Sequence, residues 1–233
     1  MTPKPQRLTV LDFLIVSPHP DDAELGMGGT LARAHAEGRS TGIIDLTRGE
    51  AATKGTPEER AEEAAAAAEV LGLDVRRNLG WPDSRILDSE DRRLQLARVL
   101  RELKPRVVVG PHQNDRHPDH VAAAHLIPAA VHLAGLANSP LSGEPYKPEQ
   151  LFFYMGNGPF EATLVVDTSE YIDVWEAAVR CYKSQFTGKA ASETVTPDVY
   201  RRRRGRAAYW GTFIGAAYGE PLWTPRPVAF TPF

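Results

Sequence analysis

The chain has 233 residues, 42% hydrophobic and 24% charged, which is ample for a buried core. Its formal net charge of −3 gives no sequence-wide case for nucleic-acid binding, and no run of about 18 apolar residues exists to cross a membrane. The start, from Met1 to Arg7, lacks an apolar signal core, and the single cysteine, Cys181, excludes an intrachain disulfide; both favour the cytoplasm.

Residues 11–16 are a short apolar run ended by a proline turn, which predicts a fully buried strand. Ser17-Pro18-His19-Pro20-Asp21-Asp22-Ala23-Glu24 follows. The prolines hold φ near about −65° and bias Ser17 and His19 toward extended geometry. A loop this stiff aims side chains at a point, and one imidazole with two carboxylates suits zinc or a similar divalent ion. Residues 28–37 predict a helix with Leu31, Ala32 and His35 on one face and Gly38 as its stop. Residues 41–46 predict the second strand, and 47–55 a loop of small and charged residues. Thr56 can cap the next helix, Pro57 suits its first position and Glu59 closes a capping box; Gly72 ends it after Leu71. Residues 75–79 predict a third strand, with a loop at 80–85.

Residues 91–103 predict an amphipathic helix that buries Leu94, Ala97, Val99, Leu100 and Leu103. A strand at 106–110 centres on Val107-Val108-Val109. Then come Pro111-His112 and, from Asn114, Asp115-Arg116-His117-Pro118-Asp119-His120. With Pro118 and Asp119 opening a helix from 119 to 132, His117 and His120 point to one side of its first turn, and Pro128 can kink it. Residues 138–148 read as an exposed connection, and 151–155 and 163–166 as strands. Ser169 caps a helix to Tyr182, 199–218 is the last helix, and 221–233 is a proline-studded tail.

This alternation predicts an α/β fold: a Rossmann-like, mostly parallel sheet with helices on both faces, in a single three-layer domain. Residues 8–135 form the parallel core; 136–233 form an extension that completes sheet, pocket and subunit contacts. Ligands of such folds gather at the carboxyl ends of strands, where both histidine-rich stretches lie. His112, His125 and His132 read as surface or satisfied core histidines.

His19-Pro20-Asp21-Asp22 together with His117-Pro118-Asp119-His120 resembles the PIG-L/LmbE-like family of zinc-dependent deacetylases, which act on N-acetylglucosaminyl compounds. The likeness extends through Glu24, Gly28-Gly29-Thr30-Leu31, Thr47-Arg48-Gly49-Glu50 and Arg60-Ala61-Glu62-Glu63. The run from Asp45 to Glu50, then Gly55 to Arg60, is similar to the bacillithiol branch, which deacetylates N-acetylglucosaminyl-malate. The resemblance implies His19, Asp22 and His120 as ligands of Zn2+, or of another divalent metal such as Fe2+, with Asp21 as general base. It also implies a homo-oligomer, with a hexamer among the forms relatives adopt. Two imidazoles and a carboxylate leave a fourth zinc position for water. A protonated His117, held by Asp119, would share the oxyanion charge and serve as an acid alternative to Asp21. Some relatives carry a tyrosine two places before His117, where this chain has Asp115.

The resemblance makes Arg60 a substrate contact. Arg48, Glu50, Asp83 and Arg85 stand on loops at strand ends and are expected to meet the glycoside, and Lys183 and Gln185 to close the pocket. The run Arg201 to Arg204 reads as a solvated face or, less favoured, a carboxylate site. Three rivals stand beside this reading. One is a deacetylase or amidase for another N-acetylglucosamine-containing substrate or thiol conjugate. Another is a non-catalytic metal- or sugar-binding module. The third is a dinucleotide-binding oxidoreductase, imitated by Gly26-Met27-Gly28-Gly29 with Asp45 but lacking the last glycine, since Leu31 stands there.

Overall fold

The computed structural model describes residues 10–186 and 198–228; the start from Met1 and the tail beyond 228 fall outside them. Among the described residues seven strands form one sheet: β1 (Phe13–Ser17), β2 (Thr41–Thr47), β3 (Val75–Trp81), β4 (Val107–Pro111), β5 (Gln150–Tyr154), β6 (Leu164–Asp167) and β7 (Gly219–Trp223). Their order is β3-β2-β1-β4-β5-β7-β6. The first five run parallel, and β7 is antiparallel to both of its neighbours. The helices are α1 (Asp22–Ala36), α2 (Pro57–Leu71), α3 (Glu90–Leu103), α4 (Pro118–Gly135), α5 (Ile172–Arg180), the single turn α6 (Lys183–Phe186) and α7 (Val199–Thr212).

The apolar run of β1 is continuous because both of its faces are covered. Leu14 and Val16 enter one core with Leu100 of α3 and Leu126 and Ile127 of α4. Ile15 enters the other with Met27 and Leu31 of α1. Each such side chain, fully buried, contributes roughly 1.5–3 kcal/mol. A third cluster packs α2, α5, α6 and α7 together through Ala67, Trp175, Tyr182, Phe186 and Val199. The α2 capping box forms as the sequence requires: Glu59 N donates to Thr56 Oγ1 at 3.1 Å and Thr56 N to Glu59 Oε2 at 2.8 Å. Strand order reverses between β1 and β4, which lie side by side. Both histidine-bearing loops leave the carboxyl ends of these two strands, so the topology brings together residues far apart in sequence.

Three expectations are corrected. Helix α1 begins at Asp22, not at residue 28. Asp22 and Glu24 suit the positive end of a helix dipole, and the glycine penalty is offset by close packing. A Cβ on Gly29 would sit 2.9 Å from Glu220 Oε1 and from Thr168 Cβ. These glycines therefore lie buried inside a helix and form no phosphate-cradling loop, and Asp45 is ion-paired to Arg76, so the dinucleotide reading fails. Ser169 does not cap α5. It opens a 3-10 turn, Ser169–Tyr171, and its Oγ donates to Asp167 Oδ1 at 2.6 Å. Finally, α7 stops at Thr212, and β7 lies where a helix end and a tail were expected. Pro221 lies opposite Val165 of β6, and pairing to β5 begins only at Leu222. Among the described residues no helix is long and apolar enough to cross a membrane.

Candidate metal centre and active site

His19 leaves β1 between its two prolines, and Asp22 opens α1 three residues later. The backbone N–H of His19 and its Nδ1 both lie on Asp22 Oδ2, at 3.1 and 3.0 Å. His120, in the first turn of α4, places Nε2 3.1 Å from the same oxygen. Two imidazole nitrogens and a carboxylate oxygen thus converge. The far nitrogen of each ring is held by acid. His19 Nε2 is 3.0 Å from Asp83 Oδ1 and 3.2 Å from Asp119 Oδ2, and His120 Nδ1 is 3.0 Å from Asp115 Oδ2. A carboxylate behind an imidazole fixes the tautomer and turns the opposite lone pair toward a metal. The donor set therefore fits a divalent ion.

The electrostatics agree. Burial works against charge on His19, but its bonds to Asp119, Asp22 and Asp83 outweigh it and raise the ring well above its usual value. Burial is likewise outweighed at His120, where Asp22 and Asp115 push the ring up to about 9. Burial also opposes charge on Asp22, yet the two imidazoles hold its carboxyl well below the ordinary range. Asp83 and Asp115 are drawn down to about 2 by His19 and His120, against the effect of burial. The cluster is a buried negative well.

Asp21 caps α1 without using its side chain for the cap, at φ 103°, a left-handed geometry that costs an ordinary residue about 1–3 kcal/mol. Its carboxylate instead meets Arg60 Nη2 at 3.3 Å. Burial pushes the Asp21 carboxyl up to about 7, with Arg60 opposing the rise. Arg60, expected on the substrate, is itself buried and also donates to Pro20 O; it holds the Asp21 loop in place.

His117 joins the group with ring centroids 4.8 Å from His19 and 5.0 Å from His120. The expected His117–Asp119 side-chain bond is absent. Asp119 N donates to His117 Nδ1 at 3.2 Å, while the Asp119 carboxylate accepts from Ser84 N and Ile86 N and reaches His19. Helix geometry turns that carboxylate toward the 84–86 loop. His117 therefore keeps its other nitrogen, Nε2, for a proton. Burial, with His19 and His120 nearby, lowers its pKa, so the charged form expected of it is disfavoured.

A cavity of ≈ 180 Å³ opens over these groups, lined among others by Asp21, Asp22, His117, Gln185 and Arg203. Asp83 and Arg60 also line it. Gln185 is buried and donates to Lys54 O, tying α6 to the 47–55 loop. The remaining expected contacts stand elsewhere. Glu50 accepts from Asp83 N, Arg48 is exposed and lines a separate cavity, and Arg85 and Lys183 are exposed outside this one. His112 packs against Phe160 and Trp223, and His125 and His132 are exposed. Asp115 was missed as an orienting group. Its signal was an acid five residues before a candidate ligand on a loop.

A family model for GlcNAc-PI de-N-acetylase, PIG-L, matches residues 14–131. The chain is 30% identical to the diacetylchitobiose deacetylase of Thermococcus kodakarensis, over 91% of this chain and 82% of that one. It is 26% identical to the 1D-myo-inositol 2-acetamido-2-deoxy-alpha-D-glucopyranoside deacetylase 2 of Catenulispora acidiphila, over 84% and 87%. The crystal structure of the conserved protein TT1542 from Thermus thermophilus superposes with TM-score 0.90 at 56% identity, covering 96% of this chain and 98% of that one. The chain belongs to the PIG-L family and is a hydrolase of N-acetyl amides.

Proposed function

We propose that this protein removes acetate from an N-acetylglucosaminyl conjugate with zinc held by His19, Asp22 and His120, and that N-acetylglucosaminyl-malate is its substrate. The observation that carries the reading is the meeting of His19 Nδ1, Asp22 Oδ2 and His120 Nε2, with both outer ring nitrogens on carboxylates. Zinc held there would supply Lewis acidity and lower the pKa of water to about 7. Asp21 lies beside the ligands without being needed as one. It takes the proton from the attacking water and returns it to the leaving amine. His117, with Nδ1 occupied by Asp119 N, offers Nε2–H to the oxyanion that develops on the amide. Arg60 keeps the Asp21 carboxylate aimed at the cavity.

The malate conjugate is supported by the run from Asp45 to Arg60. The named substrates of the curated relatives, diacetylchitobiose and an inositol glycoside of N-acetylglucosamine, give the second reading. Acetate release is measured on N-acetylglucosaminyl-malate, diacetylchitobiose and free N-acetylglucosamine, with and without chelator. The malate conjugate should lead, and chelator should stop release. Equal rates on all three would sink the malate assignment; release untouched by chelator would sink the metal. Asp21→Asn should retain zinc and lose about 10²- to 10⁴-fold in kcat. Asparagine tolerates the left-handed backbone at that position, so the fold survives the test.

A further inference from the structure

Most arginines buried among the described residues hold close partners, although Arg60 Nε has none. Arg76 bonds Glu24, Asp45, Tyr182 and Ala64 O. Arg101 donates to Ala134 O, Leu136 O, Leu141 O, Gly143 O and Ser139 Oγ. Arg60 has Asp21 and Pro20 O. Arg203 of α7 differs. It is half-buried in the wall of the active-site cavity, and its one hydrogen bond among the described residues is long, 3.4 Å from Nη2 to Asn157 Oδ1. It makes no ion pair there.

Its neighbours hold it in place without satisfying it. Asn157 is itself fixed by Asp115, through N to Oδ2 at 2.8 Å. Gly156 lets that loop close on the same acid, since a Cβ there would overlap Asp115 Oδ2. Arg203 is thereby set on the His120 side of the cavity. Arg206, one helical turn on, gives its own bond to Gly156 O at 2.7 Å and adds a second positive charge behind Arg203. A guanidinium taken partly out of water beside a like charge is unfavourable unless an anion meets it. The carboxylates of Asp21, Asp22 and Asp115 favour the charge of Arg203 without ion-pairing to it; they are committed to Arg60, His19, His120 and a backbone N–H. The free N–H groups of Arg203 present a planar fork, which matches a carboxylate in two parallel bonds.

We infer that Arg203 is the specificity-determining cation of this cavity, and that it binds a carboxylate on the aglycone of the glycoside. The inference rests on the deacetylase reading above for its substrate, and it singles out one residue of the basic run at 201–204.

A matched pair of probes tests it: the 4-carboxyphenyl and phenyl glycosides of N-acetylglucosamine, which differ by one carboxylate. Zinc-loaded wild type should prefer the carboxylated probe by about tenfold or more in kcat/KM, the worth of one charged hydrogen-bonded pair. In Arg203→Gln that ratio should fall to near one, through KM rather than kcat, and Arg203→Lys should recover part of it. A wild type indifferent to the carboxylate, or a glutamine variant that slows both probes equally, overturns the inference; the latter would make Arg203 a counter-charge for the metal centre. Acetate from neither probe defeats the deacetylase reading instead. Calorimetric binding of the two intact glycosides to wild type and Arg203→Gln then decides the inference separately. An Arg203-dependent preference supports it, and equal binding ends it.

Discussion

Asp22 and Glu24 lie two residues apart on α1 and enter two different buried charge clusters. Glu24 Oε1 meets Arg76 Nη1 at 2.5 Å and Tyr182 OH at 2.9 Å, and Arg76 turns its other edge to Asp45. Donors and acceptors there answer one another, leaving only Glu24 Oε2 without a partner. Asp22 meets two imidazoles whose outer nitrogens already rest on Asp83, Asp119 and Asp115. Both rings share one oxygen, Asp22 Oδ2. Burial and charge are common to both clusters; the difference is the cation. A guanidinium keeps its proton and supports the fold, whereas imidazoles can give up a proton to a metal ion.

The comparison breaks most sharply at His120. His120→Ala should abolish both zinc retention and acetate release, with far-ultraviolet circular dichroism unchanged; zinc retained at one equivalent would refute the assignment. Arg76→Met should act in the opposite sense. It strands Glu24 and Asp45 in the interior, so urea unfolding should show a loss of roughly 3–5 kcal/mol, while the folded fraction still binds zinc. Asp115→Asn should weaken zinc by about 10- to 100-fold, read by competition with a chromophoric chelator, and leave Tm nearly unmoved.

The smallest effect is a pH dependence at Glu220, outside both clusters. Its carboxylate accepts from Gly29 N, Thr30 N and Thr30 Oγ1, but burial prevails and pushes the carboxyl up to about 7 from 4.5. The folded state therefore keeps a proton that the unfolded state releases. The stability this gives is full below pH 4.5 and is lost as pH rises through 7. The Tm advantage of wild type over Glu220→Gln should shrink between pH 5 and pH 8. An advantage that grows would show that the three hydrogen bonds dominate over burial.

Much of the first half of the fold was legible because its signals are local. The capping box at Thr56, the apolar run of β1 and the valines of β4 each declare an element on their own. Convergence of the two histidine motifs was legible through topology, since parallel neighbours share a carboxyl end. What escaped depends on distant partners. The early start of α1 is hidden because Gly26 and Gly28 give no local helix signal; Tyr154 packs against the first, Trp175 against the second, and Glu220 with Thr168 against Gly29. Pro221 hid β7, whose place is set by β5 and β6. Asp83 and Asp119 were expected at the sugar and the His117 ring, yet both stand behind His19, a matter of side-chain direction that spacing does not encode.

The insertion of β7 between β5 and β6 bears on how the molecule is made. During synthesis the ribosome delivers α1, with Asp21 and Asp22 at its head, long before residues 219–223 emerge. Until that late strand threads between its two waiting neighbours, Glu220 cannot grip the middle of α1. A nascent chain halted before β7 would carry both histidine motifs and still lack the clamp on the helix that Asp22 opens.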